Sequence, residues 1–334
     1  MKKKTPKQKP IVLKAGYFMQ ESYDGYKALT ETASDNWHHH CTYQLLPHAL
    51  QGEHRFLHLH TMQLSYAKRP GGMMNNTYSA SDCISIAVMQ QVKDKACFDK
   101  MKLKRDDILF FDDSSAFNFM SNDAISFAIV SVQKSLLGEY ASQILAACNH
   151  RVKDTQQKFS KLLEQIWEDI SQGKPHESFE SLEAQILSHI KELLDTQALI
   201  PSKLTQGEEI SLQIRDQVYT HMDGKISISS LAQQYNVSDK TLQNSFKSLF
   251  GFTPKLFLRQ LKLNLVHYEL SNHTPREVTV SNIARKWGFA HMGRFSRYYT
   301  DLFCENPSIT LKRSIVAEEK GIGSHCARRK EEIE

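Results

Sequence analysis

The 334-residue chain lacks any window of about 18 uninterrupted apolar residues, so it offers no candidate for a membrane-spanning helix. Its six cysteines, at 41, 83, 97, 148, 304 and 326, never fall at CxxC spacing, which removes the usual zinc-ribbon and thioredoxin-like patterns. The basic opening MKKKTPKQKP is not followed by the apolar run that a signal peptide needs, and the expectation is a reduced, cytoplasmic protein. A phosphate-cradling glycine loop and any recognisable Ser-His-Asp or Cys-His grouping are missing too. No residue is therefore assigned a catalytic role, and the expectation is a protein that is not an enzyme.

A large charge excess is also absent, since the formal net charge is only +5. Its distribution says more than its size. Residues 1–207 carry 24 Lys/Arg against 23 Asp/Glu, whereas residues 208–315 carry 14 against 9. The C-terminal third thus holds the basic bias, which suits a polyanionic partner. With 40% hydrophobic content over this length, two domains are expected, because single cores rarely grow past about 250 residues.

The pattern along the chain divides it further. Residues 1–30 read as a flexible arm. Over 31–150, short apolar runs such as CISIAVMQQV and ISFAIVSV are separated by polar turns, the spacing of a small β-barrel or sandwich. From 151 to 200 the period changes to helical. Phe159, Leu162, Leu163, Ile166 and Ile170 share one helix face; Leu182, Ile186, Ile190, Leu193 and Leu194 share another. This helical hairpin is expected to pair two subunits. Residues 201–207, with Pro201 and Gly207, read as a linker, 208–315 as an all-helical domain, and 316–334 as a polar tail.

The helical domain contains two similar blocks. ISISSLAQQYNVSDKTLQNSFKSLFGFTP (226–254) and VTVSNIARKWGFAHMGRFSRYYTDLFCENP (278–307) align at an offset of 52 to 53 residues, marking a duplicated helix-turn-helix. In the first block Leu242, Phe246 and Leu249 point inward by their spacing, leaving Lys240, Gln243, Asn244 and Lys247 on the opposite face. In the second, Phe295, Tyr299 and Leu302 point inward and leave His291, Met292, Arg294, Ser296 and Arg297. Amides can pair bidentately with adenine, and Arg or Lys with guanine or phosphate. Gly293 costs about 1 kcal/mol of helix propensity relative to alanine, and close approach of a DNA backbone would account for it. One such basic helix is ordinarily a solvated surface helix. Two in register, joined by PKLFLRQLKLNLVHYELSN, favour double-stranded DNA as the partner.

On SLFGFTPKLFLRQLKL and IARKWGFAHMGRFSRYY...PSITLKR, residues 208–315 resemble the DNA-binding domain of the AraC/XylS family of bacterial transcription regulators. TLQNSF and LFCENPSITL also resemble its ethanolamine-utilisation subgroup. The family resemblance implies an effector-responsive, sequence-specific activator with RNA polymerase as a partner. By position it places base contacts on Lys240, Gln243, Asn244, Met292, Ser296 and Arg297. One departure is Cys304, where the family carries glycine, and a left-handed turn would be strained there. For the N-terminal half the resemblance implies a β-rich sensor, a cupin-like barrel or a relative of it, open to a small-molecule effector, with the hairpin supporting a homodimer. The α+β chain would then join that sensor to an all-α double helix-turn-helix. The alternative is a DNA-binding regulator whose N-terminal half binds a protein partner or assembles without a ligand.

The remaining motifs invite bland readings. His58 and His60 share a strand face, but no glutamate follows as a cupin metal site would want, so neither a metal nor a cofactor is assigned. Asp106, Asp107, Asp112 and Asp113 read as turn formers. Phe110, Phe111, Phe117 and Phe119 read as barrel core rather than a ligand wall. A cysteine-based DNA-repair protein borrowing the same reader would want clustered thiols, and Cys41, Cys83, Cys97 and Cys148 lack that spacing.

Overall fold

A computed structural model describes residues 13–24, 41–47, 51–93, 95–114, 117–148, 150–154, 156–172, 178–196, 199–201, 203–220 and 226–319. The histidines at 38–40, and most of the expected arm and tail, lie outside them.

The N-terminal half is built from two antiparallel sheets. The first runs β1 (Phe18–Asp24), β3 (Gln51–His58), β4 (Met62–Arg69), β11 (Ile125–Gln133), β6 (Cys83–Val92), β9 (Asp107–Asp112), β12 (His150–Lys153) and β13 (Ile200–Pro201) in spatial order. The second runs β2 (Cys41–Gln44), β5 (Met73–Thr77), β10 (Phe117–Ser121), β7 (Ala96–Phe98) and β8 (Met101–Lys102). The central strands are apolar on both faces because both are covered. Along β6, Ile84, Ile86 and Val88 enter one core, while Ala87 and Met89 enter another.

The first of these cores lies beneath helices. Phe159, Leu163, Ile166 and Trp167 of α2 (Lys158–Ser171), with Leu182, Ile186, Ile190 and Leu193 of α3 (Phe179–Thr196), pack on Leu64, Ile86, Phe110 and Val130 of the large sheet. A short α1 (Tyr140–Ala147) adds Ile144 and Ala147. The apolar stripes expected to pair subunits are thus covered inside the protomer. Periodicity identified the stripe correctly, but it does not say what covers it. The second core lies between the sheets, where Phe98, Phe111, Phe117, Phe119 and Phe127 meet.

The C-terminal half is helical: α4 (Gln206–Thr220), α5 (Ile228–Gln234), α6 (Asp239–Phe250), α7 (Pro254–Asn272), α8 (Val280–Lys286), α9 (Met292–Phe303) and α10 (Pro307–Glu319). Several element bounds differ from the sequence reading, β12 and β13 at the two ends of the stretch read as helical among them. β1 forms within the stretch read as an arm, pairing Phe18–Asp24 with Leu57–Gln51. α4 starts inside the stretch read as a linker, and α10 runs four residues past 315. Gly207 is in fact a packing glycine of α4. A Cβ there would sit 2.2 Å from Ser245 Oγ and 3.1 Å from Ser245 Cβ on α6, so a larger residue would make that hydroxyl rotate away and tighten the contact.

The outer face of the five-stranded sheet carries the helical half. Leu45, Met74, Cys97 and Met120 share one core with Leu212, Ile214, Phe246, Phe250 and Leu261. From outside to inside, the layers are the helical hairpin, the large sheet, the small sheet and the helical domain.

Candidate nucleic-acid interface

Local chemistry explains four helix starts in and between the two blocks, while α9 starts at His291 without a side-chain cap. Ser227 accepts a hydrogen bond from the Ser230 amide, Ser238 from Thr241, Thr253 from Leu256 and Thr279 from Asn282, so the side-chain oxygens satisfy amides left over at four helix starts. Pro254 occupies the first turn of α7, where no amide hydrogen is needed. The turns bend at Asn236 (φ 51°) and Gly288 (φ 85°), equivalent positions 52 residues apart. The second turn is one residue longer, so the reading helices are offset by 53.

The inward faces match their spacing. Leu242, Phe246 and Leu249 bury against Leu231 and Ala232, while Phe295, Tyr299 and Leu302 bury against Ile283 and Ala284. On the other side Lys240, Gln243, Asn244 and Lys247 of α6 are all exposed, as are His291, Arg294 and Arg297 beside α9. Ser296 is half-buried. Met292 is also half-buried, resting partly on the second core, which limits how far it can reach. Arg297 lies 3.9 Å from Asp301 with 83% of its side chain exposed, a contact loose enough to exchange for a phosphate or base edge. Around Gly293 a Cβ would meet nothing within 4 Å. No packing among the described residues demands that glycine.

A helix-turn-helix domain family model matches residues 231–313, the span from α5 into α10. Over 86 residues the chain is 37% identical to the XylDLEGF operon transcriptional activator 2 of Pseudomonas putida, covering 26% of this chain and 55% of that protein. The C-terminal helical domain is of the AraC/XylS type. The chain is also 30% identical over 97 residues to the probable thc operon regulatory protein of Rhodococcus erythropolis, 29% of either chain. Among solved structures it is similar to the AraC-like transcriptional activator CuxR, at 11% identity and a TM-score of 0.43, over 74% of this chain and 94% of that one. The chain spans less than two thirds of the length of either curated relative.

Several contacts that sequence spacing could not reveal tie the AraC/XylS-type domain to the β-sheet half. Lys102 Nζ donates to Glu208 Oε1 at 2.5 Å, and Ser248 of α6 donates to the same oxygen at 2.9 Å. Burial alone would raise the Glu208 pKa, but these bonds and the Thr205 amide outweigh it and hold the pKa below the ordinary glutamate value. Lys95 Nζ donates to the Lys247 carbonyl at 2.8 Å, at the end of α6. Tyr219 OH reaches Asn76 Oδ1 at 3.2 Å, and Arg215 donates to the Asp99 carbonyl.

Other expected features fall away from the reading face. His58 bonds the Lys14 amide and Gln63 Nε2, and no group of three His, Cys, Asp or Glu among the described residues is placed to hold a metal. Burial raises the Cys83 and Cys148 thiols to about 11 and Cys97 to about 12, far from thiolate chemistry. No helix among the described residues is long and apolar enough to cross a membrane. The phenylalanines divide: Phe110 packs under the hairpin, whereas Phe111, Phe117 and Phe119 line a cavity between the sheets. That cavity, with about 50 Å³ open to the centre of a water molecule, also presents His54, Arg69, Asn75 and Thr77.

Proposed function

We propose that this chain is a sequence-specific DNA-binding transcription regulator in which α6 and α9 read adjacent major-groove segments, and that an effector in the inter-sheet cavity governs its activity at a promoter. The observation that carries this reading is the pair of in-register helix-turn-helix units, each with its apolar face in a core and its amides and cations exposed. The bridging α7 has 19 residues, roughly 28 Å at 1.5 Å per residue, comparable with the spacing of about 34 Å between successive major grooves. Base reading is assigned to Lys240, Gln243, Asn244, Met292, Ser296 and Arg297, with Lys247, His291 and Arg294 at the groove or its rim.

The cytoplasm, activation through RNA polymerase and a homodimer belong to the same reading. Because Leu163 is buried and Leu187 half-buried in the protomer, pairing would use the polar outer face of the hairpin, around Glu164, Gln165 and Gln185. The deciding experiment is footprinting of the full chain on its upstream DNA over a range of salt. Affinity should fall with salt at a slope near −0.9 per phosphate contact. Gln243→Ala and Arg297→Ala should each cost about 1–3 kcal/mol of discrimination between specific and random DNA. Equal weakening on both DNAs would make them phosphate contacts and remove the base-reading assignment.

A further inference from the structure

Both reading helices end against the same row of the five-stranded sheet. Across β2, β5, β10 and β7 the register aligns Gln44 with Met73, Met73 with Ser121 and Ser121 with Ala96. All four residues are buried. Backbone hydrogen bonds run through the flanking residues: the Leu45 amide donates to the Gly72 carbonyl at 2.6 Å, the Gly72 amide to the Ser121 carbonyl at 2.8 Å, and the Asn122 amide to the Lys95 carbonyl at 3.0 Å. At one end of the row the Gln44 side chain donates to the Leu302 carbonyl at 2.8 Å, one residue before α9 stops. The Gln44 amide donates to Asn264 Oδ1 of α7 at 2.9 Å, and Asn264 Nδ2 donates back to the Gln44 carbonyl at 2.7 Å. At the other end Lys95 Nζ donates to the Lys247 carbonyl at 2.8 Å, in the last turn of α6. Beside it, Asn122 fills the space that a Cβ on Gly251, the residue closing α6, would take. Only β5 and β10 lie between the two gripping strands, which sets them three steps of about 4.8 Å, roughly 14 Å, apart across the sheet.

We propose that this row is a calliper: Gln44 and Lys95 hold the ends of α9 and α6 at a set separation and angle, so that the protein selects operators by the spacing between the two segments they read. The proposal rests on the DNA-reading function above and adds positioning residues to it. Within the helical domain the two units meet mainly through α7, which gives Phe257 and Leu261 to the first core and Val266 and Leu270 to the second. Rocking of either small unit about that rod would move its reading helix. A grip at the far end of each reading helix opposes that motion. Both bonds go to carbonyls of the last turn, which point out along the helix axis, and the Lys95 ammonium also suits the negative end of the α6 dipole. One base pair added between the segments moves them apart by about 3.4 Å and turns one against the other by about a tenth of a turn. A hydrogen-bonded sheet row does not stretch to follow. Gln44 and Lys95 act through the placement of α9 and α6 and need touch no base.

Operators of altered spacing, together with the distance between the reading helices, test it on the full-length protein. Gln44→Met and Lys95→Met keep each stem and remove the donor. Asn264 keeps its partners in the first variant, because it bonds the backbone of residue 44. Wild type should bind its footprinted operator more tightly than copies with one base pair added or removed between the segments. Each variant should narrow that ratio by about two- to tenfold, the reach of one net hydrogen bond, while still preferring the operator to random DNA. Lys93→Met removes an equal charge from an exposed lysine two residues from Lys95 and should leave the ratio alone. Without DNA, spin labels on p-acetylphenylalanine in place of the exposed Lys240 and Arg294 should report one narrow distance in wild type and a broader distribution in both variants. Lys95→Met, which cuts an exposed bond, decides the matter alone if Gln44→Met does not fold. An unchanged distribution overturns the calliper, and a broader one with an unchanged spacing ratio overturns its part in choosing operators. Equal weakening on every spacing in Lys95→Met would make that lysine a phosphate contact and overturn its role as a grip. If wild type fails to prefer its operator to random DNA, the reading function falls, and the distance distribution still judges the hold.

Discussion

The two helix-turn-helix units share a plan but not an environment. The first ends α6 at Gly251 (φ 82°), where a Cβ would overlap Asn122 Nδ2 of the β-sheet half at 1.6 Å, and its flanks are held by Lys95 and by Glu208 with Lys102. The second ends α9 at Cys304 (φ 56°, ψ 20°), the same left-handed turn made by a residue that does not favour it. Gln44 ties it to the β-sheet half by donating to the Leu302 carbonyl. It is instead closed internally, by His267 to Tyr299 OH at 2.7 Å, Tyr299 to Thr310 at 2.8 Å and Thr310 to Glu305 at 2.7 Å. A duplicated motif has thus been stabilised once by docking and once by a polar network in its own core.

Acid should separate the two most strongly. Burial, ahead of the nearby charges of Glu305 and Arg313, lowers the His267 pKa to about 4 from an ordinary 6.5. The folded state therefore favours the neutral ring. That stability is complete above pH 6.5 and is lost as pH falls toward about 4, at most about 3 kcal/mol by the 1.36 kcal/mol per unit relation. Residue-resolved exchange between pH 7 and 4 should show α9 and α10 losing protection before α5 and α6. Simultaneous loss would mean that the units do not differ in this way.

Glu208 is the corresponding weak point of the first unit. Lys102→Ala leaves a carboxylate that is 4% exposed without its ammonium, a loss of about 1–3 kcal/mol. Protection should drop in α4 and α6 and hold in α9. Since the folded pKa of Glu208 is depressed, its contribution is present above the ordinary glutamate pKa and disappears as pH falls below it, so wild type and variant should converge in acid.

How much of this was readable follows from the range of each interaction. α7 occupies Pro254–Asn272, the stretch PKLFLRQLKLNLVHYELSN expected to bridge the blocks, because its start is set locally by Thr253 and Pro254. The inward triads of α6 and α9 were legible from spacing for the same reason. β1, β2 and β5 went unread, since their side chains neither alternate cleanly nor announce partners. The Gln44–Asn264 clamp spans 220 residues of sequence, and nothing in the neighbours of either residue points to the other. The hairpin's apolar face was plain, yet whether a sheet or a second subunit covers it is a tertiary fact. Glycine carried mixed information: Gly207 read as a linker residue but lies in α4 against Ser245 of α6.

The C-terminal turns give a smaller and more symmetrical test. Cys304→Gly removes a left-handed strain worth roughly 1 kcal/mol and should raise the melting temperature of the second unit. Gly251→Ala introduces that strain and, in addition, pushes into Asn122, so it should destabilise by more than Cys304→Gly stabilises. Equal and opposite shifts in thermal unfolding would mean that the Asn122 side chain moves aside freely and that docking contributes little there.

Gly293 yields the smallest change in stability and the sharpest division between folding and reading. Among the described residues, and apart from its own helix backbone and chain neighbours, nothing lies within 4 Å of its would-be Cβ, so Gly293→Ala should stabilise α9 by about 1 kcal/mol through helix propensity alone. A glycine kept at that cost on an exposed helix start has a reason outside the chain, and a DNA backbone passing close to α9 supplies one. The variant should therefore melt higher yet bind its operator more weakly, with the first unit's footprint retained and the second unit's reduced. Tighter or unchanged binding together with the higher melting temperature would show that no backbone passes there, and would move the second unit's contacts toward Arg294 and Arg297 at the rim.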